Sequence, residues 1–152
     1  MTQFGRRFAL AAFGVFAAVA LGCSSYKFEG RVIAGDVSYA TIVSADDPQL
    51  TTGKGIGGTR VRVVTDPDRL NRKEVGSGVT SPDGSFSFEL DAFGAGILEY
   101  DIGVDATRPG YAGIEEFFRM PRKGERVLIV LSPGNDTRRP RENLMDQYNQ
   151  FR

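Results

Sequence analysis

Cys23 is the residue of this sequence whose type and position most directly suggest chemistry. It is the only cysteine among 152 residues, so no disulfide can form within the chain. It directly follows Gly22 and a run of fourteen uncharged residues, 8–21, which two arginines precede. A helix of that length spans about 21 Å, less than the roughly 30 Å hydrocarbon core of a bilayer. A basic start, a short apolar centre and a small residue before the processing point predict a signal peptide over 1–22, cleaved between Gly22 and Cys23.

The four residues Ala20-Leu21-Gly22-Cys23 resemble the lipobox of bacterial lipoproteins, with Ala20 where that motif mostly has leucine. The resemblance implies that the Cys23 sulfur receives a diacylglycerol and that Cys23 becomes the acylated first residue. Two or more acyl chains anchor a protein stably, whereas one binds only marginally. The resemblance therefore implies an exported protein held at the cell membrane by lipid, with its domain on the extracytoplasmic side. In a host with two membranes, Ser24 and Ser25 after the cysteine imply the outer membrane.

Two other interpretations of this segment stay open. The uncharged stretch continues to Tyr26, which also suits an anchor helix that is never cleaved. A lone cysteine is also compatible with a buried core position.

The composition argues against most enzyme chemistry and against nucleic acid. The sequence has no histidine, which removes serine–histidine and cysteine–histidine nucleophilic sites and the usual zinc ligands. Lysine plus arginine and aspartate plus glutamate number 19 each, whereas nucleic-acid binding needs a basic surface. We therefore expect a non-enzyme with no cofactor except the covalent lipid.

The remainder of the chain has the pattern of short strands between turn signals. Alternating apolar and polar residues and the 19 glycines predict seven or eight antiparallel strands in a Greek-key β-sandwich over 28–132, behind a short tether at 23–27. The expected strands are 26–33, 36–44, 59–65, 75–81, 85–90, 98–106, 113–120 and 126–132.

Four short motifs occur in a recognisable order: GGTRVRV at 57–63, TSPDGSF at 80–86, YDIGV at 100–104 and PGY at 109–111. They resemble the carboxypeptidase regulatory-like domain, a transthyretin-like sandwich of seven strands. The resemblance implies a non-catalytic module that helps folding, docks partners or binds ligands. It also implies structural turns, and the residues expected to form them are Asp83, Gly84, Pro109, Gly110 and Tyr111.

The segment 34–56 is longer than the turn that this family often has there, so we expect it to add a hairpin or a surface loop. It contains a possible binding loop with Asp46, Asp47 and Lys54. The glycines at 53–58 lack phosphate-loop spacing, and the aspartates lack EF-hand spacing. Carbohydrate is a possible ligand, but residues 45–58 contain no aromatic platform.

Two further alternatives concern the ends of the domain. Lys27 and Asn135 are candidates for a lysine–asparagine isopeptide bond, as in a related group of surface sandwiches. In the polar tail, 133–152, the residues Leu144, Tyr148 and Phe151 have helical spacing. The tail is therefore either a short amphipathic helix or a frayed terminus.

The expected function is that of a membrane-anchored envelope lipoprotein, acting as a structural or protein-interaction module with an envelope protein as partner. The alternative is a module that binds carbohydrate or another envelope ligand. The sequence does not decide the oligomeric state.

If Cys23 carries the lipid, mass spectrometry of the mature protein should find a chain that starts at Cys23 and has the added mass of acyl groups. Cys23→Ala should leave an unprocessed precursor, because the sulfur that accepts the lipid is missing. A wild-type protein with Met1 intact would contradict the prediction.

Overall fold

The computed structural model describes residues 26–65, 72–91 and 101–138. The predicted signal helix, the Gly22–Cys23 cleavage site and the predicted C-terminal helix lie outside these ranges. Within them, no helix is long and apolar enough to cross a membrane.

The described residues form eight strands and one short 3-10 helix, Pro48–Leu50. The strands divide equally between two packed sheets, which confirms the predicted all-β sandwich. In chain order they are β1 Tyr26–Ala34, β2 Tyr39–Ser44, β3 Arg60–Thr65, β4 Lys73–Val79, β5 Ser85–Leu90, β6 Asp101–Thr107, β7 Ile114–Arg119 and β8 Glu125–Leu131.

The first sheet has the order β2-β8-β1-β5, and the second has the order β4-β3-β6-β7. Sequence neighbours are thus often not sheet neighbours, as in Greek-key sandwiches. One pairing departs from the prediction of antiparallel strands, because β1 and β8 run parallel over Gly30–Ala34 and Val127–Leu131. The other pairings are antiparallel.

The core lies between the two sheets and follows the two-residue alternation of the strands. In β3, Val61 and Val63 are fully buried while Arg60 and Arg62 face solvent, which is what the alternation of arginine and valine predicts for a strand. In the first sheet, Phe28 contacts Phe86 and Phe88, with ring centroids 5.9 and 5.6 Å apart.

Glycines on neighbouring strands make room for these rings. A Cβ on Gly30 would lie 2.6 Å from the Phe86 ring, and one on Gly78 would lie 2.6 Å from the Phe88 ring. Any larger residue would have to displace an aromatic side chain of the core.

The turn at Asp83-Gly84 forms as predicted, but it does not join two paired strands. Gly84 has φ +84°, and its N–H donates to the Ser81 carbonyl at 2.8 Å. The strands on either side, β4 and β5, belong to opposite sheets. An Asp-Gly turn between two strand-like segments predicts a hairpin of paired strands, and that prediction is wrong here, because the turn carries the chain from one sheet to the other across one side of the sandwich. The turn at Pro109-Gly110 does join two paired strands, β6 and β7.

The segment 34–56 adds β2 at one edge of the first sheet and then the 3-10 helix. At the start of the domain, β1 begins at Tyr26, which pairs with Leu90. Tyr26 and Lys27, which the sequence analysis assigned both to the tether and to the first strand, are therefore strand residues.

The two ends of the sandwich hold different loops. The end at Tyr26, here called the base, also holds the turn between β7 and β8, where the Ala45 N–H donates to the Gly124 carbonyl at 2.9 Å. The opposite end, here called the top, holds the β6–β7 turn, where the Gly134 N–H donates to the Gly110 carbonyl at 3.0 Å. Lys27 lies at the base and Asn135 at the top, so this structure does not permit an isopeptide bond between them.

Two glycines with nearly the same φ allow the free-energy cost of a side chain at positive φ to be measured separately from the cost of steric crowding. Gly84 and Gly110 have φ +84° and +85°, but a Cβ would lie 2.2 Å from the Val32 carbonyl oxygen at Gly84 and in open space at Gly110. Gly110→Ala should lower the free energy of unfolding by about 1 kcal/mol, whereas Gly84→Ala should cost roughly 3 kcal/mol or more. Chemical denaturation measures both, and equal losses would show that the Gly84 turn is not packed against β1.

Candidate functional site

A concave surface lies on the outer face of the first sheet. We call it the Arg31 groove, an open cleft of about 770 Å³ between the segment 45–51 on one side and the connection from β4 to β5 on the other. Its floor is formed by outward-facing residues of β1, β5 and β8, among them Arg31, Ser87 and Arg126.

Arg31 holds the two walls of this groove together. Its Nε donates to the Asp83 carbonyl at 2.9 Å. Its Nη1 donates to the carbonyls of Leu50 and Thr52 at 3.1 and 2.9 Å, and its Nη2 to that of Gly53 at 3.4 Å. A planar guanidinium with five donors in a fixed arrangement is the side chain best suited to several carbonyls at once. Arg31 therefore fixes the position of the 45–53 segment against the sheet.

Apolar contacts hold the same segment beside Arg31. A Cβ on Gly53 would lie 3.3 Å from Ile33, so the backbone of the segment packs closely on that side chain. Leu128 is fully buried although the register aligns it with Arg31 and Thr41, both on the outer face. The outer face of the first sheet thus has a small apolar layer of its own, separate from the core.

Buried hydroxyls position the other wall. The Thr80 hydroxyl donates to the Ile56 carbonyl at 2.7 Å and accepts from the Thr59 N–H at 2.9 Å. Both threonines are buried, where an unsatisfied polar group would be costly. These bonds tie the segment 56–59 to the residues that lead into the Asp83-Gly84 turn.

The charges in the groove are largely paired with one another. Arg126 contacts Glu29 at 2.7 Å, and Glu29 accepts from the Ser87 hydroxyl at 3.3 Å. Asp83 accepts from the Ser85 hydroxyl at 2.7 Å and from the Ser85 N–H at 3.1 Å, and these bonds lower the pKa of Asp83. Both bonds lie within the turn, so Asp83 caps the turn through Ser85.

The predicted binding loop lines the groove through Ala45, Leu50 and Thr51, and not through the three residues that the sequence analysis named. Asp46 accepts a hydrogen bond from the Ser44 hydroxyl, which lowers the pKa of Asp46. Asp47 caps the 3-10 helix by accepting from the Gln49 N–H at 2.8 Å. The exposed residue Lys54 contributes its carbonyl to the Ala34 N–H at 2.8 Å. None of the three lines the groove.

No group of three or more histidine, cysteine, aspartate or glutamate side chains comes together among residues 26–65, 72–91 and 101–138 in a way that could hold a metal ion. Asp46, Asp47 and Asp83 each accept hydrogen bonds within their own turns. Of the residues that do shape the groove, Arg31 had one signal in the sequence. Lys27, Glu29 and Arg31 alternate with core residues in β1 and must therefore face outward together.

The base has a separate network of fixed charges. The Tyr26 hydroxyl donates to the Pro121 carbonyl at 2.7 Å. Arg119 binds both oxygens of Glu125 at 2.7 Å, and the Arg122 N–H also donates to Glu125 at 2.7 Å. The hydrogen bond from Arg119, followed by that from the Arg122 N–H, lowers the pKa of Glu125 to about 2. The start of β1 and the β7–β8 turn are therefore held together at one end of the sandwich.

No family model matches this chain, and no curated protein matches it either.

The role of Arg31 is testable with a substitution that keeps its charge. Arg31→Lys should lower the free energy of unfolding by about 2 kcal/mol, because one ammonium group cannot reach carbonyls on both walls. Amide hydrogen exchange should increase most in 48–54. Arg126→Lys, a change of the same type on the same face, should leave exchange in 48–54 unchanged. Equal effects of the two substitutions on this segment would contradict the role assigned to Arg31.

Proposed function

We propose that this protein is an exported lipoprotein, anchored by acyl groups on Cys23, whose β-sandwich is a non-catalytic module for protein interaction at the membrane surface. The observation that carries the proposal is the start of β1 at Tyr26, which the Tyr26–Pro121 hydrogen bond fixes to the base. Three residues from Cys23 to Tyr26 span at most about 10 Å. An anchor on Cys23 would thus hold the base at the lipid headgroups.

The polar groups of the groove support a binding role over catalysis. The guanidinium of Arg31 is used on carbonyls, Arg126 is paired with Glu29, and the Ser85 hydroxyl donates to Asp83. A catalytic group must instead be available to the reacting atoms. These side chains fix the shape of a surface, which is what a docking module needs.

The strand count supports the resemblance to the carboxypeptidase regulatory-like domain. Seven of the eight described strands remain when β2 is set aside, and β2 comes from the segment 34–56, where the sequence departs from that family. The PDG and PGY motifs both form tight turns with a glycine at positive φ. The family's docking role is the part of the resemblance that this proposal adopts.

A second candidate function, binding of a small polar ligand such as a carbohydrate, is favoured by the Arg31 groove itself. The groove offers hydroxyls of Ser81, Ser87 and Thr51 beside the Glu29–Arg126 pair. Its lining includes one aromatic residue, Phe86, which is buried and faces the core. A glycan array probed with the protein tests this candidate, and a glycan that protects Ser87 and Arg126 from exchange would favour it.

The orientation of the domain tests the main proposal. In the lipidated protein the Cys23 sulfur is blocked, so single cysteines at Lys123 or Asn135 can carry a spin label. Both native residues are exposed, and they lie at the base and the top. In vesicles, the label at Lys123 should lie near the headgroups, and the label at Asn135 about 20 Å farther away, since a seven-residue strand spans roughly that length. Equal distances from the lipid for the two labels would contradict the proposal.

A further inference from the structure

The four edges of the two sheets differ in how they are protected from pairing with another strand. An exposed edge strand is normally blunted by charge, bulges, inward-facing charges or a covering element. The β4 edge has Lys73 and Glu74, and the register of its pairing with β3 shifts between Val63 and Val64. The β7 edge has Glu116 aligned with the core residue Val104.

The β5 edge is covered by β4. The Asp91 N–H donates to the Val75 carbonyl at 2.7 Å, and the Ser81 N–H donates to the Ser85 carbonyl at 2.8 Å. Between these bonds, a Cβ on Gly76 would lie 2.9 Å from the Glu89 carbonyl oxygen. No further strand can reach β5 without displacing β4.

The β2 edge has no charge and no bulge, and hydrogen bonds to a second described strand do not cover it as they cover β5, although β2 lies close to β7 and the Ser38 hydroxyl donates to the Ala112 carbonyl at 2.9 Å just ahead of β7. Residues 37–45, VSYATIVSA, contain no charge, no proline and no glycine, and β2 pairs in continuous register with β8, without a bulge. Among the described strands it has no partner on its other side. Two apolar side chains lie exposed along it, Val37 at 69% and Tyr39 at 39%.

The backbone of β2 offers hydrogen-bonding groups on this free side. The Ala45 N–H donates to the Gly124 carbonyl across the β2–β8 pairing, so the backbone of Ala45, and by alternation that of Val43 and Thr41, points toward β8. The N–H and C=O groups of Ala40 and Ile42 therefore point away from the sheet. No hydrogen bond to a described residue occupies them.

We propose that β2 is a docking edge that accepts an extended, uncharged strand from a second protein. Main-chain hydrogen bonds to Ala40 and Ile42 would supply the affinity, as in other cases of strand addition. On the outer face, the added strand would place alternate side chains beside Tyr39, Thr41 and Val43. Aromatic and β-branched residues give the best cross-strand pairs with these. The inference deepens the proposed interaction function. It rests on that function at one point, because the proposed membrane anchor is what excludes a second copy of this chain as the partner.

A second copy does not fit the edge on a membrane. Two identical edges related by a twofold axis pair antiparallel, which would send the two Tyr26 residues to opposite ends of the joined sheet. With about 10 Å of chain between Cys23 and Tyr26, two copies standing on one membrane by their bases cannot pair in this way. A strand from a different protein has no such restriction.

Site-specific photo-crosslinking tests the proposal on the full chain in the envelope of cells that produce it. A photoreactive residue is placed singly at Tyr39, Thr41 or Val43, and in a control at Ser77, an exposed position on the β4 edge. The three β2 probes should crosslink to one segment of one other protein, at sites that shift by about two residues per step. Ser77 should give no such series. Ordered sites distinguish strand addition from chance capture.

Two variants at one position test the role of the edge backbone. Ala40→Pro removes the N–H that points outward and leaves the bonds to β8, whereas Ala40→Ser keeps that N–H. Crosslinking from Thr41 should fall at least tenfold in Ala40→Pro and persist in Ala40→Ser. If Ala40→Pro fails to fold, the order of the crosslinked sites in the otherwise wild-type chain still decides the question.

Other outcomes overturn the inference. Crosslinks from Thr41 to residues 39–43 of a second copy would assign the edge to self-association. Crosslinks without order, or none, would show that β2 accepts no strand. The intact mass of the same samples reports whether Cys23 is acylated. Ordered crosslinks to another protein with Met1 intact would leave the docking edge standing and remove the anchor.

Discussion

Strand β1 is the element on which the rest of the described structure depends. Its first part pairs with β5 and its second part with β8 in parallel. Where β5 ends, other segments take over its edge. The Val32 N–H donates to the Gly84 carbonyl at 2.8 Å, and the Val32 carbonyl accepts from the Ile56 N–H at 2.9 Å. A buried strand must satisfy every backbone group, and here that requirement draws the Asp83-Gly84 turn and the segment 54–56 to the same strand.

The groove follows from this arrangement. Because backbone bonds hold Gly84 and Lys54 along the same edge of β1, the carbonyls of both segments lie within reach of Arg31. The guanidinium then completes a contact whose geometry the backbone has already set. Its partners are 19 to 52 residues away in sequence. No local pattern indicates such a set, which explains why the sequence pointed to the loop but named Asp46, Asp47 and Lys54 in place of Arg31.

Local patterns in the sequence were sufficient for the strands and the sandwich. Val61, Val63, Ile102 and Val104 alternate with polar residues or glycine and are all buried in the core, and glycine after aspartate or proline marks both tight turns. What local patterns do not contain is the choice of partner. The parallel pairing of β1 with β8 joins residues almost one hundred positions apart. Likewise, the PDG turn has the same chemistry whether its two strands pair or pass into opposite sheets, so its sequence could not decide between these.

The same distinction applies to the edges of the sheets. A strand that adds to the edge of a sheet loses conformational entropy. An unprotected edge also invites aggregation, so it is unfavourable unless it has a function. This chain protects three edges by different means and leaves the fourth uncharged along nine residues. The fourth edge is also the strand that the segment 34–56 adds to an otherwise seven-stranded sandwich. Ala40, on the inner face of β2, packs against the core, but no residue of β2 is fully buried. The insertion contributes more edge than core, which is what a strand selected for pairing with a partner would contribute.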